Sequence, residues 1–325
     1  MLRPARAVLA ALALAALATP AAHAQVYPAR AVRLIVPYPA GGGTDFFART
    51  VAVQLSRQMG QQVVVENRPG AATIIGAEAA AKSTPDGYTL LLGDTATFAV
   101  NASLYRKLPY DPQKDFAPVS LTGRFALLLV VNPAAIKANS VGELIDQAKK
   151  ESGKLDYASP GPGSPHHLAM ELFKQRTGLQ LTHVPYKGAA PAVQDLLGGR
   201  VPLMFLDLAA GAPQIKGGKL KALAVASDRR IAALPDLPTL GESGLPGFEA
   251  WAWQVLAVPA GTPRDIVAKL NAQYRKAIGT PEIRQKMIGA GIDPLQSSPG
   301  EAVAYIRSET AKWAKVIRDG RITVE

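Results

Sequence analysis

The chain has 325 residues, 36 Lys plus Arg against 25 Asp plus Glu, no cysteine, and a hydrophobic fraction of 48%. Without cysteine there is no disulfide scaffold, thiolate zinc site or cysteine nucleophile, and the apolar fraction with a mean hydropathy near zero fits a folded chain of about two domains, neither disordered nor multiply membrane-spanning. The formal charge of +11 invites a nucleic-acid reading, but the densest cation groups, Lys149-Lys150 and Arg229-Arg230, have no interleaved aromatics to stack bases; no nucleic acid is expected as partner, and the basic surface mildly favours small anions.

Residues 1–24 read as a secretory signal peptide. Arg3 and Arg6 form the positive segment, Ala7 to Ala18 is an apolar run, and Ala22-His23-Ala24 is a small-x-small cleavage site before Gln25. The uncharged stretch is too short for the roughly 20 residues that span a bilayer. No cysteine follows it to carry a lipid.

Val32 to Val36 is a β-branched strand, and Pro37-Tyr38-Pro39-Ala40-Gly41-Gly42-Gly43 a loop. Thr44 is the expected N-cap of a helix with Phe47, Val51 and Leu55 on one face, ended by Gly60. Gln62 to Val65 is a second strand, Asn67 to Ala71 a second glycine loop, Ile74 to Lys82 a helix and Tyr88 to Leu92 a third strand. Strand, glycine loop and helix thus occur twice, which predicts a parallel α/β unit with ligand-facing loops at the strands' carboxyl ends. After a proline-bearing stretch comes the strand Ala126 to Val131, then a helix opened by a Ser140/Glu143 capping box. A second α/β unit follows: strand Leu155 to Ala158, loop Ser159 to Ser164, helix Pro165 to Arg176, strand Thr182 to Pro185, helix Pro191 to Leu197, strands Val201 to Phe205 and Leu220 to Ala226. Trp253 to Val258 returns as a strand, and helices are expected over 263–278, 281–290 and 299–318. Two α/β lobes place the ligand cleft between them.

The loops Ala40 to Asp45 and Arg68 to Thr73 put side-chain-poor backbone ahead of helices, where free N–H groups and the helix dipole suit a carboxylate or phosphate. Ser159 to Ser164 offers the same in the second unit. Gly41-Gly42-Gly43 lacks both the dinucleotide fingerprint and a P-loop lysine, so no nucleotide cofactor is expected. Asp45 sits in a first helical turn, where it either steadies the helix or orients loop amides and a water. Asp207, after a strand, is either a cap or a residue of the cleft. Ser164 with His167 lacks the carboxylate and elbow of a hydrolase, and the histidines lack metal-ligand spacing, so neither catalysis nor a metal is expected. The three tryptophans, Trp251, Trp253 and Trp313, suit core packing.

The runs Pro37 to Asp45, Glu66 to Ala71, Pro85-Asp86-Gly87-Tyr88-Thr89-Leu90-Leu91, Tyr157-Ala158-Ser159 through Gly163-Ser164-Pro165-His166-His167-Leu168, Val184 to Gly188 and Gly218 to Val225 together resemble the Bug family, the periplasmic solute receptors of tripartite tricarboxylate transporters. The resemblance implies a type II periplasmic binding protein, with residues 25–124 and 250–325 in lobe 1 and 125–249 in lobe 2. It implies that Ala40, Gly41, Gly42 and Asp45 with Gly70, Ala71 and Ala72 hold one carboxylate of a small organic anion, partly through waters. Ser159, Gly163, Ser164, His167 and Asp207 then fall on the distal grip, and Thr97 lines the cleft. His166 departs from the family's usual small polar residue, and Leu208 from the asparagine that commonly follows the aspartate. The implied function is delivery of the anion to the membrane permease subunits of such a transporter, without catalysis; the alternative is a periplasmic sensor subunit for the same ligands. Nothing in the chain demands more than a monomer.

Overall fold

The computed structural model describes residues 27–151 and 153–324; the expected signal peptide lies outside them. Strand β1 (Val32–Val36) leads into helix α1 (Gly43–Met59), β2 (Val63–Asn67), α2 (Ile74–Ala81) and β3 (Thr89–Asp94). β1 pairs in parallel with both β2 and β3. α1 buries Phe47, Ala48, Val51, Ala52 and Leu55 along one face and ends at Gly60, whose φ of 69° provides the left-handed turn that residues with a Cβ seldom adopt. Its N-cap is Gly42, with no side-chain cap bond. Thr44, expected there, lies within the helix and accepts a hydrogen bond from the Gln254 side chain.

After β3 the chain makes a π-helical turn, Ala96–Val100, that runs into the short α3 (Asn101–Leu104). Then comes β4 (Phe116–Val131), far longer than the aliphatic run that announced it. Over Phe116 to Ala126 it pairs with β9 (Trp251–Pro259), and over Leu127 to Val131 with β7 (Leu203–Asp207) and β8 (Lys221–Val225). The first part hides in the sequence because it carries Pro118, Ser120, Thr122 and Arg124. Register shifts fall beside Pro118 and between Leu121 and Gly123, the irregularities at which a sheet tolerates proline and glycine. Ser120 exchanges hydrogen bonds with Ser297, and Arg124 reaches Asp293 at 3.0 Å, so these polar positions are satisfied, while the buried Thr122 hydroxyl has no hydrogen-bond partner among the described residues.

The second half holds α4 (Val141–Lys150), β5 (Leu155–Ser159), α5 (Pro165–Thr177), β6 (Leu181–Pro185), α6 (Ala189–Leu197) and α7 (Leu208–Lys216). Parallel β5 lies between β6 and β7, and β7 runs antiparallel to β4. Ser140 caps α4 by accepting from Glu143 N, while the Glu143 carboxylate takes the Asn139 N–H, one residue earlier than a capping box requires. β7 starts two residues later than the sequence suggests, since Pro202 has no N–H to give the ladder. That shift sets Asp207 at the carboxyl end of the strand. The chain returns through β9 to α8 (Arg264–Ile278), α9 (Pro281–Gly289), the short β10 (Ile292–Pro294) and α10 (Pro299–Asp319), the last opened by a full Ser298/Glu301 capping box.

The sheet order is β2-β1-β3-β9-β4-β7-β5-β6, with β8 and β10 also on β4. Central strands β3, β7 and β9 are buried throughout, as strands covered on both faces must be. Two chain segments join the halves: β4 near Ala126 and Leu127, and the stretch from Ala226 to Ala250. They are stitched together where Ala226 N–H donates to Leu127 C=O and Ala250 N–H to Ala226 C=O, each at 2.8 Å. No helix among the described residues is long and apolar enough to cross a membrane.

Candidate functional site

A small cavity of about 40 Å³ lies between the halves. The first half gives it Tyr38 from the loop after β1, Gly42 to Thr44 from the start of α1, Asp94 from the end of β3, and Gln254 from β9; the second gives Pro165 and His166 from α5, Ala189 from α6, and Asp207; Phe125 enters it from β4 at the first crossing. These are mostly strand ends and helix starts, where α/β folds collect ligands. A groove of about 880 Å³ elsewhere is lined from the second half alone, around the Ser140 cap and residues 233–238.

Two carboxylates face the cavity. Asp94 accepts the Tyr38 hydroxyl at 2.7 Å and both the N–H and hydroxyl of Thr97 at 3.1 Å. Burial pushes its carboxyl above the ordinary value, against the pull of those bonds. Asp207 uses Oδ1 to cap α7, accepting from Ala210 N at 2.9 Å, and sets Oδ2 3.3 Å from His166 Nε2. Among the described residues, His166 Nδ1 and Gln254 Oε1 are buried without a hydrogen-bond partner. No Lys or Arg among the described residues lines the cavity.

The halves touch where glycine removes a side chain. A Cβ at Gly43 would stand 2.4 Å from Asp207 Oδ1, one at Gly163 2.9 Å from Leu104 Cδ1, and one at Gly188 3.0 Å from Pro39 Cγ. Each pair joins the two halves, so the cleft is shut.

The remaining residues singled out in the sequence lie around the cavity without lining it. Ala40 and Gly41 are exposed in the loop before α1. Asp45 is buried and accepts from Gly41 N, Arg49 Nε and Asn67 Nδ2 at 2.9–3.1 Å. Burial raises its carboxyl, but these bonds outweigh burial and hold it below the usual range. It therefore ties the first loop to the end of β2.

Gly70 and Ala71 are exposed and Ala72 half-buried. Ala71, Ala72 and Thr73 all have positive φ, at 45°, 50° and 77°. Three consecutive left-handed residues with side chains are strained, by about 1–2 kcal/mol each. Asn101 holds them, donating to Ala72 C=O at 2.8 Å, while Thr97 bonds to Thr73 Oγ1 at 3.0 Å. The π-helical turn thus presents Thr97, and the first residue of α3 presents Asn101, to the second loop, and π-turns gather at functional sites.

On the other side Ser159 Oγ lies 2.6 Å from His183 Nε2, and Ser164 caps α5 by accepting from His167 N. Gly163 N–H donates to His167 Nδ1 at 3.0 Å. The His167 ring stacks on His183 at 4.0 Å. Burial and the nearby Lys174 hold His167 down to about 4, so it stays neutral at neutral pH. No group of three metal-ligating side chains exists among the described residues.

Tyr38, Asp94, Phe125 and Gln254 had not been singled out for the site. Asp94 carried a usable signal: an acidic residue closing the apolar strand Leu90-Leu91-Leu92-Gly93 is where an α/β sheet exposes its chemistry. Gln254 carried none, because its position depends on β9 crossing between β3 and β4.

Residues 47–321 match the pattern described as "Tripartite tricarboxylate transporter family receptor". BugT of Bordetella pertussis is 40% identical over 309 residues, covering 95% of this chain and 94% of its own. Among solved structures, an R. palustris protein with adipate is 38% identical, with a TM-score of 0.89 over 91% of this chain and 99% of that one. MatC from Rhodopseudomonas palustris, with bound malate, is 32% identical, with a TM-score of 0.84 over 90% and 100%. The fold is that of a periplasmic binding protein.

Proposed function

This chain belongs to the tripartite tricarboxylate transporter receptor family, and from that membership we propose that it is an exported periplasmic receptor, which captures a small carboxylate-bearing anion by closing two lobes and passes it to a membrane permease. The observation that carries this reading is a closed cavity walled from both halves at the start of α1. The lobes divide at residues 124/125 and 249/250, beside the two crossings, and residues 1–24 serve export. Gly42 with the flanking Ala40 and Gly41, and Gly70 to Ala72, form the proximal grip through the loop backbone and the helix dipoles, the Gly41 N–H itself being held by Asp45. Asp45 positions the first loop; Thr97 positions the second. Asp207 belongs to the distal grip, whose backing is the network of Ser159, Gly163, Ser164 and His167.

The chain's part in transport is then binding without chemistry. Solute contacts divided between lobes stabilise the closed state by the difference in affinity between closed and open forms. The permease reads that closed population. Solutes in the two relatives, adipate and malate, are the starting points for this chain's panel.

The test is a thermal-shift screen of protein unfolded and refolded to strip copurified solute, against mono-, di- and tricarboxylates, aromatic acids, amino acids and neutral controls. A solute at 100 times its Kd stabilises the folded state by about 2.7 kcal/mol. Stabilisation confined to carboxylates, with the solute recovered unchanged by mass spectrometry, supports the receptor. No shift with any carboxylate, or conversion of the solute, overturns it.

A further inference from the structure

We propose that Asp94 is the positioning residue of the proximal grip: its carboxylate fastens the loop after β1 to the loop after β2, so that the two meet a solute as one unit. The proposal rests on the receptor reading above and deepens it, by assigning what holds the grip whichever carboxylate is bound. It starts from a side chain that is 3% exposed in the wall of the cavity, where no Lys or Arg among the described residues pairs with it. A buried carboxylate of this kind persists where hydrogen-bond donors surround it.

Three donors do so, and they come from two sides. Oδ2 takes the hydroxyl of Tyr38, which stands in the first loop just ahead of Pro39 and Ala40, at 2.7 Å. Burial and Asp94 itself push that hydroxyl well above its ordinary value, so it stays protonated and donates. Oδ1 takes the N–H and the hydroxyl of Thr97, each at 3.1 Å. Thr97 has one hydroxyl proton; given to the carboxylate, it leaves Oγ1 to accept the hydroxyl of Thr73, 3.0 Å away in the second loop. Tyr38, Asp94, Thr97 and Thr73 thus form one chain of hydrogen bonds centred on an anion, in which each bond strengthens the next. Both carboxylate oxygens are spent within the protein, so Asp94 serves the solute through the loops. A cap for the π-helical turn would need Oδ1 alone; the bond to Tyr38, 56 residues away in the chain, has no such local purpose. What the chain secures is the strained run Ala71, Ala72 and Thr73, all with positive φ. Asn101 supplies a second tie, to Ala72 C=O, and the Asp94 chain fixes the last of the three residues.

The experiment has two arms. In the free protein, deuterium exchange over residues 68–77 reads the second loop, whose Ile74 and Ala77 N–H groups donate to Ala71 and Thr73 C=O. Tyr38→Phe keeps the backbone, including the C=O that Asn67 bonds, and removes only the hydroxyl. It is expected to speed that exchange about threefold or more, as is Asp94→Asn, although position 38 lies in the other loop. Unchanged exchange over 68–77 in Tyr38→Phe overturns the proposal, whatever the protein binds. The second arm takes the carboxylate that stabilises the protein most in the panel above, adipate and malate included, and measures its Kd by calorimetry. Tyr38→Phe and Thr73→Val are each expected to weaken binding about tenfold. Together they weaken it by no more than about tenfold, because either change severs the same chain; a cooperative melting transition shows that each variant is folded. A loss of about a hundredfold in the double variant marks two independent positions and overturns the proposal. Coupled exchange in a protein that binds no carboxylate overturns the receptor reading instead, and the tie between the loops stands.

Discussion

Gly43 opens α1 and lies against the Asp207 carboxylate of the opposite half. A methyl group there would stand 2.4 Å from Asp207 Oδ1 and 3.2 Å from the Phe125 ring. Asp207 cannot swing clear without releasing Ala210 N–H, which it caps at 2.9 Å. Overpacking a tight contact costs about 1–3 kcal/mol, and here the cheaper response is incomplete closure. Gly43→Ala is therefore expected to weaken solute binding by about tenfold to a hundredfold, measured by calorimetry, while the free protein keeps its circular dichroism spectrum. Unchanged affinity would mean that this face does not tighten on binding. At this scale the sequence exposes the loop glycines and Asp207, because strand ends and glycine runs are local signals. It hides Tyr38 and Gln254, whose place at the cavity is set by sheet order and not by their neighbours in the chain.

Helix α10 is tied to β9 by one side chain. Glu309 Oε2 accepts from Trp253 Nε1 at 2.8 Å and from Trp313 Nε1 at 3.0 Å, and both indoles are fully buried. Trp253 also meets the edge of Tyr305 at 5.4 Å between ring centres. Glu309→Leu would strand two buried donors, a loss of about 2–4 kcal/mol at about 1–2 per donor. Glu309→Gln keeps a carbonyl oxygen in place and is expected to lose less than half as much. Guanidinium unfolding of both variants checks this, and equal losses would show that charge or packing, not the shared acceptor, secures the helix. The elements themselves differ in how plainly they are written. α10 announces itself by Ser298, Pro299 and Glu301, and α1 by its i+4 apolar face. α7 does not: Gly211 and Pro213 weaken its pattern, and it forms because Asp207 caps it and because Gly211 lets the helix approach Leu206, where a Cβ would come within 2.4 Å. β10 is three residues that exist only as a partner for β4.

Across the whole molecule, a cavity of about 40 Å³ walled from both halves admits a solute only if the halves separate, and the two crossings beside Ala126 and Ala250 are where the chain can bend. The cysteine-free sequence makes that motion directly testable, since any introduced pair is the only pair. Pro39 and Gly188 face each other across the cleft; a Cβ at Gly188 would be 3.7 Å from Pro39 Cβ, within the range of about 3.5–4.5 Å that a disulfide spans. Gly188 has a φ of 115°, so a side chain there adds strain of about 1–3 kcal/mol. The informative comparison is therefore between oxidised and reduced forms of the same variant, which share that strain. Pro39→Cys with Gly188→Cys, oxidised with solute bound, is expected to release it at least about a hundredfold more slowly than after reduction, because release then requires an opening that the cross-link forbids. Stopped-flow displacement reads the rate, and small-angle scattering should show the oxidised form holding its compact radius when solute is removed. If the cross-link forms and release is as fast as in the reduced protein, the solute leaves without the halves parting. If it fails to form in saturating solute, the loops at 39 and 188 do not meet in the bound state, and the shut cleft described here is not the one that holds the solute.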